Sequence, residues 1–483
     1  MFVKSPQVTA NKNATGLFSL ANLLLWVLFV TNLVFLMVCY SNLPEWKLGG
    51  VIYINSFSFL IWTVVLFFAA LITSYSKNYL VGFKFRRSFI LNCLGFTLSV
   101  IILVIANHIL LFLACWFFMG IFMANLIGVN KDWPEAKAAA SYAQKFFLLG
   151  SFCLGVGLFL LAWFTSEFTI VKISEQVSNL PLFAKISAAL AIILAAIIQS
   201  AIFPFQRWLM SVMTSPTPAS ALMHAGFVNG GGILLAFFSS LLFASHTLTI
   251  LFVIGGVTAV TAQFTKLLQV NIKQKLACST IAQMGFMIMQ CGLGFFNAAV
   301  AHLILHGFYK AYLFLSAGEE IKKSEPASKL KIKIKPLQAI AVLIFGSLGA
   351  LLFSFLTGKG TSADSGIILT LVVAITVGQV AYNIFKEKSL TTSQKIIYPT
   401  LMFVLGIVLY AGLYNAVTYF MHPLPLTDHP VDISWVYIVF GIIFLIGFFL
   451  MKLGVYKKFP WLYLKLINDS QPYHKTIFNS KNK

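Results

Sequence analysis

His302, His306 and Lys310 stand four residues apart in the segment HLILHGFYKAYLFLSAG. Steps of four residues drift by only about 40° around a helix, so the three side chains share one face. The rest of 295–317 is almost wholly apolar. A basic stripe inside an apolar helix of that length is costly unless it faces water or a partner. Imidazole exchanges its proton near neutral pH, and an amine held out of water binds its proton less tightly than one in solution. Neighbours at i, i+4 have Cβ atoms about 5–6 Å apart, within reach of one bridging water. The stripe is either a proton path or a set of interfacial anchors and helix–helix hydrogen bonds. Lys310 lies too deep for easy snorkelling, which favours the path.

Other residues extend the pattern. Lys273 precedes His302 by 29 residues and stands just before an apolar stretch; alone it reads equally as a cytoplasmic anchor or as the mouth of the path. The segment AIIQSAIFPFQRWLMSVMTSPTPASALMHAGFVNGGG holds Gln199, Pro204, Pro216, Pro218 and His224. Pro204 removes a backbone donor directly after an apolar run. Helix breaks at membrane depth are tolerated where the freed groups line a cavity or pack on protein, and they mark ion sites in transporters. Pro218 with Ser220 suits a helix start, which puts His224 about one turn inside, as a packed or relaying histidine. Gly226 and Gly230–Gly232 suit close helix packing; no strand precedes them, so they do not read as a phosphate loop.

Metal chemistry finds little support. The six cysteines (Cys39, Cys93, Cys115, Cys153, Cys278, Cys291) lie in or beside apolar stretches without a CxxC pair, as small packing residues do. MHPLPLTDHPVDIS carries His422, Asp428, His429 and Asp432, but its prolines and mixed spacing fit a connecting loop better than a metal site. Neither a metal nor another cofactor is expected in this chain, and no catalytic residue is proposed.

The elements that must position these residues are set by composition. Of 483 residues, 59% are hydrophobic and 10% charged, with a mean hydropathy of +0.90; no soluble domain of this length looks like that. Apolar runs of membrane length recur. They predict an all-α polytopic membrane protein with about fourteen spans: 17–40, 51–73, 89–106, 109–128, 146–164, 183–203, 219–243, 247–265, 276–292, 295–317, 337–356, 367–385, 397–420 and 433–451. The first is too long for a signal-peptide core and is read as a retained helix. The net charge of +21 would point to nucleic acid in a soluble protein. Here the basic residues sit between spans, so lipid explains them and no nucleic acid is expected.

With the N-terminus inside, 29 of the 34 Lys and Arg face the cytoplasm. Lys47, Lys172, Lys185 and Lys359 face outward, and Lys310 alone falls within a span. That asymmetry predicts a multi-pass protein of the cell inner membrane with both termini cytoplasmic. Reporter fusions at Lys331 and Thr427 should report opposite sides of the membrane; a shared side would contradict the topology. The basic, aromatic stretch PWLYLKL after Lys457 suits the membrane surface or a protein partner.

Taken together, FPFQRWL…SPTPASALMHAG, NIKQKLACSTIAQMGFM and HLILHGFYKAYLFLSAG closely resemble the antiporter-like membrane subunits of respiratory complex I and of Mrp-type cation/proton antiporters, from about Ile186 to Gly318. The resemblance implies an antiporter-like fold with inverted repeats of five helices and broken helices, and a polar axis onto which His224, Lys273, His302, His306 and Lys310 map. It implies a division into N-terminal helices (1–108), a first repeat with a broken helix (109–265), a second repeat with the His/Lys axis (266–385), and C-terminal helices with a basic tail (386–483). Gln199 stands where that superfamily has a lysine, and Phe117 where a glutamate follows a tryptophan. LFSFLTGKGTSADSG lacks the second broken-helix proline and leaves Lys359 as a loose candidate. The ending VNGGG and the region KDWPEAKAAASYAQKFFLLG most resemble the DabB family, the membrane subunits of inorganic-carbon transporters. That resemblance implies an ion-conducting subunit, with the proton as the expected ion, rather than an enzyme, powering a soluble DabA-like zinc subunit on the cytoplasmic side. The alternative is a proton-translocating subunit of a complex I-like or Mrp-type assembly.

Overall fold

A computed structural model describes residues 12–317, 336–386, 392–453 and 459–477. The basic loop 322–335, including Lys331, lies outside the described residues, as do Lys457 and Lys458.

The chain is helical almost throughout. Helix α1 (Lys12–Val38) leads into a short hairpin of β1 (Trp46–Leu48) and β2 (Ile52–Ile54), then α2 (Ser56–Tyr79), α3 (Arg86–Ile105), α4 (Ile109–Ile127) and α5 (Pro134–Thr165). The broken region follows: α6 (Ile170–Gln176), α7 (Leu182–Gln199), α8 (Arg207–Ser211), α9 (Thr217–Ala225), α10 (Gly230–Phe237) and α11 (Ser239–Ala244). Three long helices come next, α12 (Leu248–Leu268), α13 (Ile272–Gly292) and α14 (Phe296–Ser316). The last are α15 (Pro336–Thr357), α16 (Gly366–Lys386), α17 (Thr392–Phe420), α18 (Trp435–Leu453) and the surface helix α19 (Pro460–Asp469).

Every expected span falls on a helix or on the broken α9–α11 segment. Among the described residues, however, ten helices are long and apolar enough to cross a membrane, so length and composition alone do not establish fourteen spans. Helix α13 falls short because it carries Lys273, Gln274, Lys275, Ser279, Thr280, Gln283 and Gln290.

The structure corrects three local expectations. The span at 51–73 begins instead at Ser56, because Ile52–Ile54 pairs antiparallel with Trp46–Leu48. Asn55 then caps α2: its side chain accepts from the Ser58 amide while Ser58 Oγ accepts from the Asn55 amide, a reciprocal box that fixes the start. Second, α5 extends the span at 146–164 back to Pro134, since proline suits a first turn and EAKAAA is rich in helix formers. Third, 219–243 is not one helix. It breaks at Gly226–Asn229 and again at Phe238.

A main apolar core runs from Phe18 through α2–α14 to Leu424. A second cluster, including Phe252, Phe295, Phe353, Tyr414 and Tyr437, ties α12–α14 to α15–α18. The C-terminal stretch folds back onto the broken region: the Tyr473 amide donates to Ser211 Oγ at 2.8 Å, and the Tyr473 ring stacks on Tyr142 with centroids 4.4 Å apart. Trp461 and Leu464 of α19 stay exposed, as an interfacial helix would leave them.

Candidate functional site

The site is built where the chain breaks. Helix α7 stops at Gln199, and residues 200–206 cross the bundle irregularly, with Pro204 among them. Pro216 stands at the N-cap of α9 and Pro218 in its first turn, a place where a missing N–H costs nothing. Buried backbone freed by these breaks must find partners. Side chains supply them: Gln199 Nε2 donates to the Phe227 carbonyl at 3.0 Å, Ser200 Oγ to the Val228 carbonyl at 2.8 Å and Trp208 Nε1 to the Ile198 carbonyl at 2.9 Å. Asn229 Nδ2 reaches the Ala225 carbonyl at 2.7 Å. Gly231 lets α10 sit against α7, since a Cβ there would lie 2.5 Å from the Ala196 oxygen.

His224 falls in the last turn of α9, two turns from its start rather than one, and is wholly buried. Its Nδ1 is 3.0 Å from Thr280 Oγ1 of α13. Its ring stacks on Phe314 of α14 at 4.3 Å between centroids. Lys310, one turn before Phe314, is also wholly buried, and its Nζ donates to the Leu276 carbonyl at 3.1 Å. The structure thus gathers α9, α13 and α14 around two buried basic groups.

The row continues along α14. His306 is 5% exposed, and neither of its ring nitrogens has a hydrogen-bond partner among the described residues. The His302 ring lies 6.2 Å from that of His306, nearly parallel to it, and packs edge-on against Phe286. Its Nε2 is likewise unpartnered there. His302 opens into a cavity of about 650 Å³ between α12–α14 and α16–α17, whose polar lining includes Lys266, Gln263, Ser279, Gln283 and Tyr410. That is room for many waters, and unsatisfied buried ring nitrogens are groups that water serves.

Lys273 stands at the other end. It lies in the first turn of α13, its amide donating to the N-cap Asn271 Oδ1, and its Nζ donates to the Ser215 and Met213 carbonyls at 3.0 and 3.4 Å. It therefore closes the α8–α9 loop and is not in contact with His302. Thr280, which spacing arguments passed over, follows Lys273 by seven residues and so shares its helix face; that spacing was the available signal.

The resemblance-based departures also take shape. Gln199 is buried and committed to a carbonyl. Phe117 is 38% exposed while Trp116 beside it is buried, so α4 turns its 117 position away from the core. LFSFLTGKGTSADSG forms the connection from α15 to α16, turning on Gly358 and Gly360 at positive φ. Among the described residues no group of three or more His, Cys, Asp or Glu could hold a metal ion.

The family model described as NADH:quinone oxidoreductase/Mrp antiporter, TM, matches residues 106–356, which holds the whole row. The chain is 34% identical over 70% of its length to a probable inorganic carbon transporter subunit DabB of Bacillus anthracis, covering 67% of that protein. It is 32% identical to the protein so described in Bacillus subtilis, covering 68% of this chain and 65% of the relative. It is 33% identical to the chloroplastic NAD(P)H-quinone oxidoreductase subunit 5 of Chara vulgaris, over 58% of this chain and 43% of the other. The chain thus spans about two thirds or less of the curated relatives it matches. In fold it is similar to a chain of the Mrp complex from Dietzia sp. DQ12-45-1b, with a TM-score of 0.64 at 21% identity over 93% of this chain and 56% of that one. A multi-pass helical protein, matched by that model over more than half its length and by relatives that are transporter or oxidoreductase subunits, this chain belongs to the NADH:quinone oxidoreductase/Mrp antiporter transmembrane family.

Proposed function

We propose that the chain is the proton-conducting subunit of an inorganic-carbon transporter of the cell inner membrane, acting with a soluble DabA-like zinc subunit on the cytoplasmic side. The observation that carries the reading is the basic row, buried at its centre: Lys273, then His224 and Lys310, then His306 and His302, ending at a cavity with polar groups in its wall. A proton enters past Lys273, is held between the amine of Lys310 and the imidazole of His224, and moves along the His306 and His302 rings through water to the cavity. The row lies mostly within 266–385, taken here as the second repeat. The names of the more similar relatives favour carbon transport over the oxidoreductase alternative. So does Gln199, which puts a neutral amide bound to Phe227 where a lysine paired with a glutamate would tune a redox-driven pump.

The test expresses the chain with and without its soluble partner in a host that needs concentrated inorganic carbon. Growth and uptake of labelled inorganic carbon are expected only with both subunits, and uptake is expected to stop when a protonophore collapses the gradient. Uptake by this chain alone, or uptake indifferent to the protonophore, would refute the proposal.

A further inference from the structure

The row from Lys273 ends at the cavity, which leaves the far side of the bundle unexplained. Helix α13 runs about 30 Å from Ile272 to Gly292. Its far end meets the connection between α17 and α18, where Phe295 forms a bridge with Asp428. Between cavity and connection lies a second set of polar groups that the first does not use. Tyr410 lines the cavity. Gln290, wholly buried, lies beside Tyr410. Tyr414 follows one turn along α17, and Phe353 packs on both tyrosine rings. The Tyr414 hydroxyl donates to Asp428 Oδ1 at 3.0 Å, and the same oxygen is 2.8 Å from Lys359 Nζ. The Asp428 and Lys359 side chains are 25% and 16% exposed, so this end touches solvent, while Tyr414 is buried and Tyr410 half-buried at the cavity wall.

We propose that Tyr410, Tyr414 and Asp428, with Lys359 as the fixed counter-charge, form the second half of the ion path and carry protons between the cavity and the loop end of the bundle. The proposal rests on the reading of the chain as a proton conductor. Each step exchanges one proton for another. A cavity water carrying an excess proton gives it to the Tyr410 oxygen as the Tyr410 O–H proton passes on through a bridging water. That water gives its proton to the Tyr414 oxygen as the Tyr414 proton moves along its hydrogen bond to Asp428. The Asp428 acid then releases a proton to outside water. One proton enters, one leaves, and no group keeps a net change. Helical i, i+4 spacing sets the two tyrosines about 5–6 Å apart at Cβ, one water's reach. Lys359 holds the Asp428 carboxyl in place at the end of the path through the 2.8 Å ion pair.

The test uses the full complex in vesicles with a pH-sensitive dye inside and an imposed membrane potential. Tyr414→Phe and Asp428→Asn are expected to cut proton flux by about an order of magnitude or more, while Asp428→Glu keeps most of it. Flux at the wild-type rate in Tyr414→Phe and Asp428→Asn, with Lys310→Met inactive, would overturn this half of the path alone. Equal loss in Asp428→Glu and Asp428→Asn at normal protein levels would overturn it too. Wild-type flux in Lys310→Met would instead refute the conducting row itself. If Asp428→Asn lowers the amount of protein, Tyr414→Phe decides, because it deletes one hydroxyl and leaves the ring contacts in place.

Discussion

Replacing Lys310 by Met should abolish transport without harming the fold. The side chain is wholly buried and, among the described residues, makes one hydrogen bond, to the Leu276 carbonyl. A buried amine with so little compensation is a burden on stability, and a well-packed apolar replacement of similar length is commonly neutral or stabilising. Losing a positioned proton carrier, by contrast, costs about 100-fold or more in the rate of a transfer step. The two consequences point in opposite directions, which makes the variant informative: normal membrane level, normal association with the partner, no uptake. His302→Ala should act the same way at the cavity end, where the ring meets a space of about 650 Å³ with several polar groups in its wall. Thr280→Val is the graded control. It keeps the carrier and removes only the hydroxyl at His224 Nδ1, a change of about 1 kcal/mol in net hydrogen bonding, and uptake should fall only in part. Wild-type uptake in both Lys310→Met and His302→Ala at normal expression would remove the case for conduction and leave a membrane scaffold.

What could be read in the sequence was what is local. The stripe of His302, His306 and Lys310 follows from helical spacing alone, and the helices are set by membrane-length apolar runs. The proline positions told where the chain would break. They did not tell that Gly226–Asn229 would break again, because that second break is held by Gln199, Ser200 and Asn229 side chains, two of them 28 residues away in sequence. Non-local polar pairing was illegible for the same reason. Thr280 meets His224 across 56 residues, and Tyr414 donates to an aspartate in a loop that read as a plain connection. The hairpin at Trp46–Ile54 was missed because IYI, just before an apolar run, has the hydropathy of a span start; only pairing with Trp46–Leu48 makes it a strand.

The packing of α12 on α13 supplies the other large expected effect, and Gly285→Val should prevent the bundle from assembling. A Cβ on Gly285 would sit 2.7 Å from the Ala259 amide nitrogen and 2.8 Å from the Gly255 oxygen. A Cβ on Gly255 would in turn sit 2.5 Å from the Met289 nitrogen. Every one of these obstacles is backbone, so no rotamer change can relieve the clash and the two helices must separate. In a membrane, where lipid is as apolar as leucine, such close approach is itself what holds helices together. Replacing a glycine in a helix by a better helix former gains about 1 kcal/mol at most. Overpacking costs about 1–3 kcal/mol, and more where backbone must move, so the clash wins. The loss also reaches the site, because α13 carries the Leu276 carbonyl and Thr280 that hold Lys310 and His224; opening the α12–α13 seam moves both. Gly412→Ala on α17 is the comparison, since nothing lies within 4 Å of a Cβ built there. The expected outcome is a steep fall in membrane-assembled protein and melting temperature for Gly285→Val, a smaller fall for Gly285→Ala and none for Gly412→Ala. A Gly285→Val protein that accumulates and melts like the wild type would show that the seam tolerates separation, and that the positions of Lys310 and His224 do not depend on it.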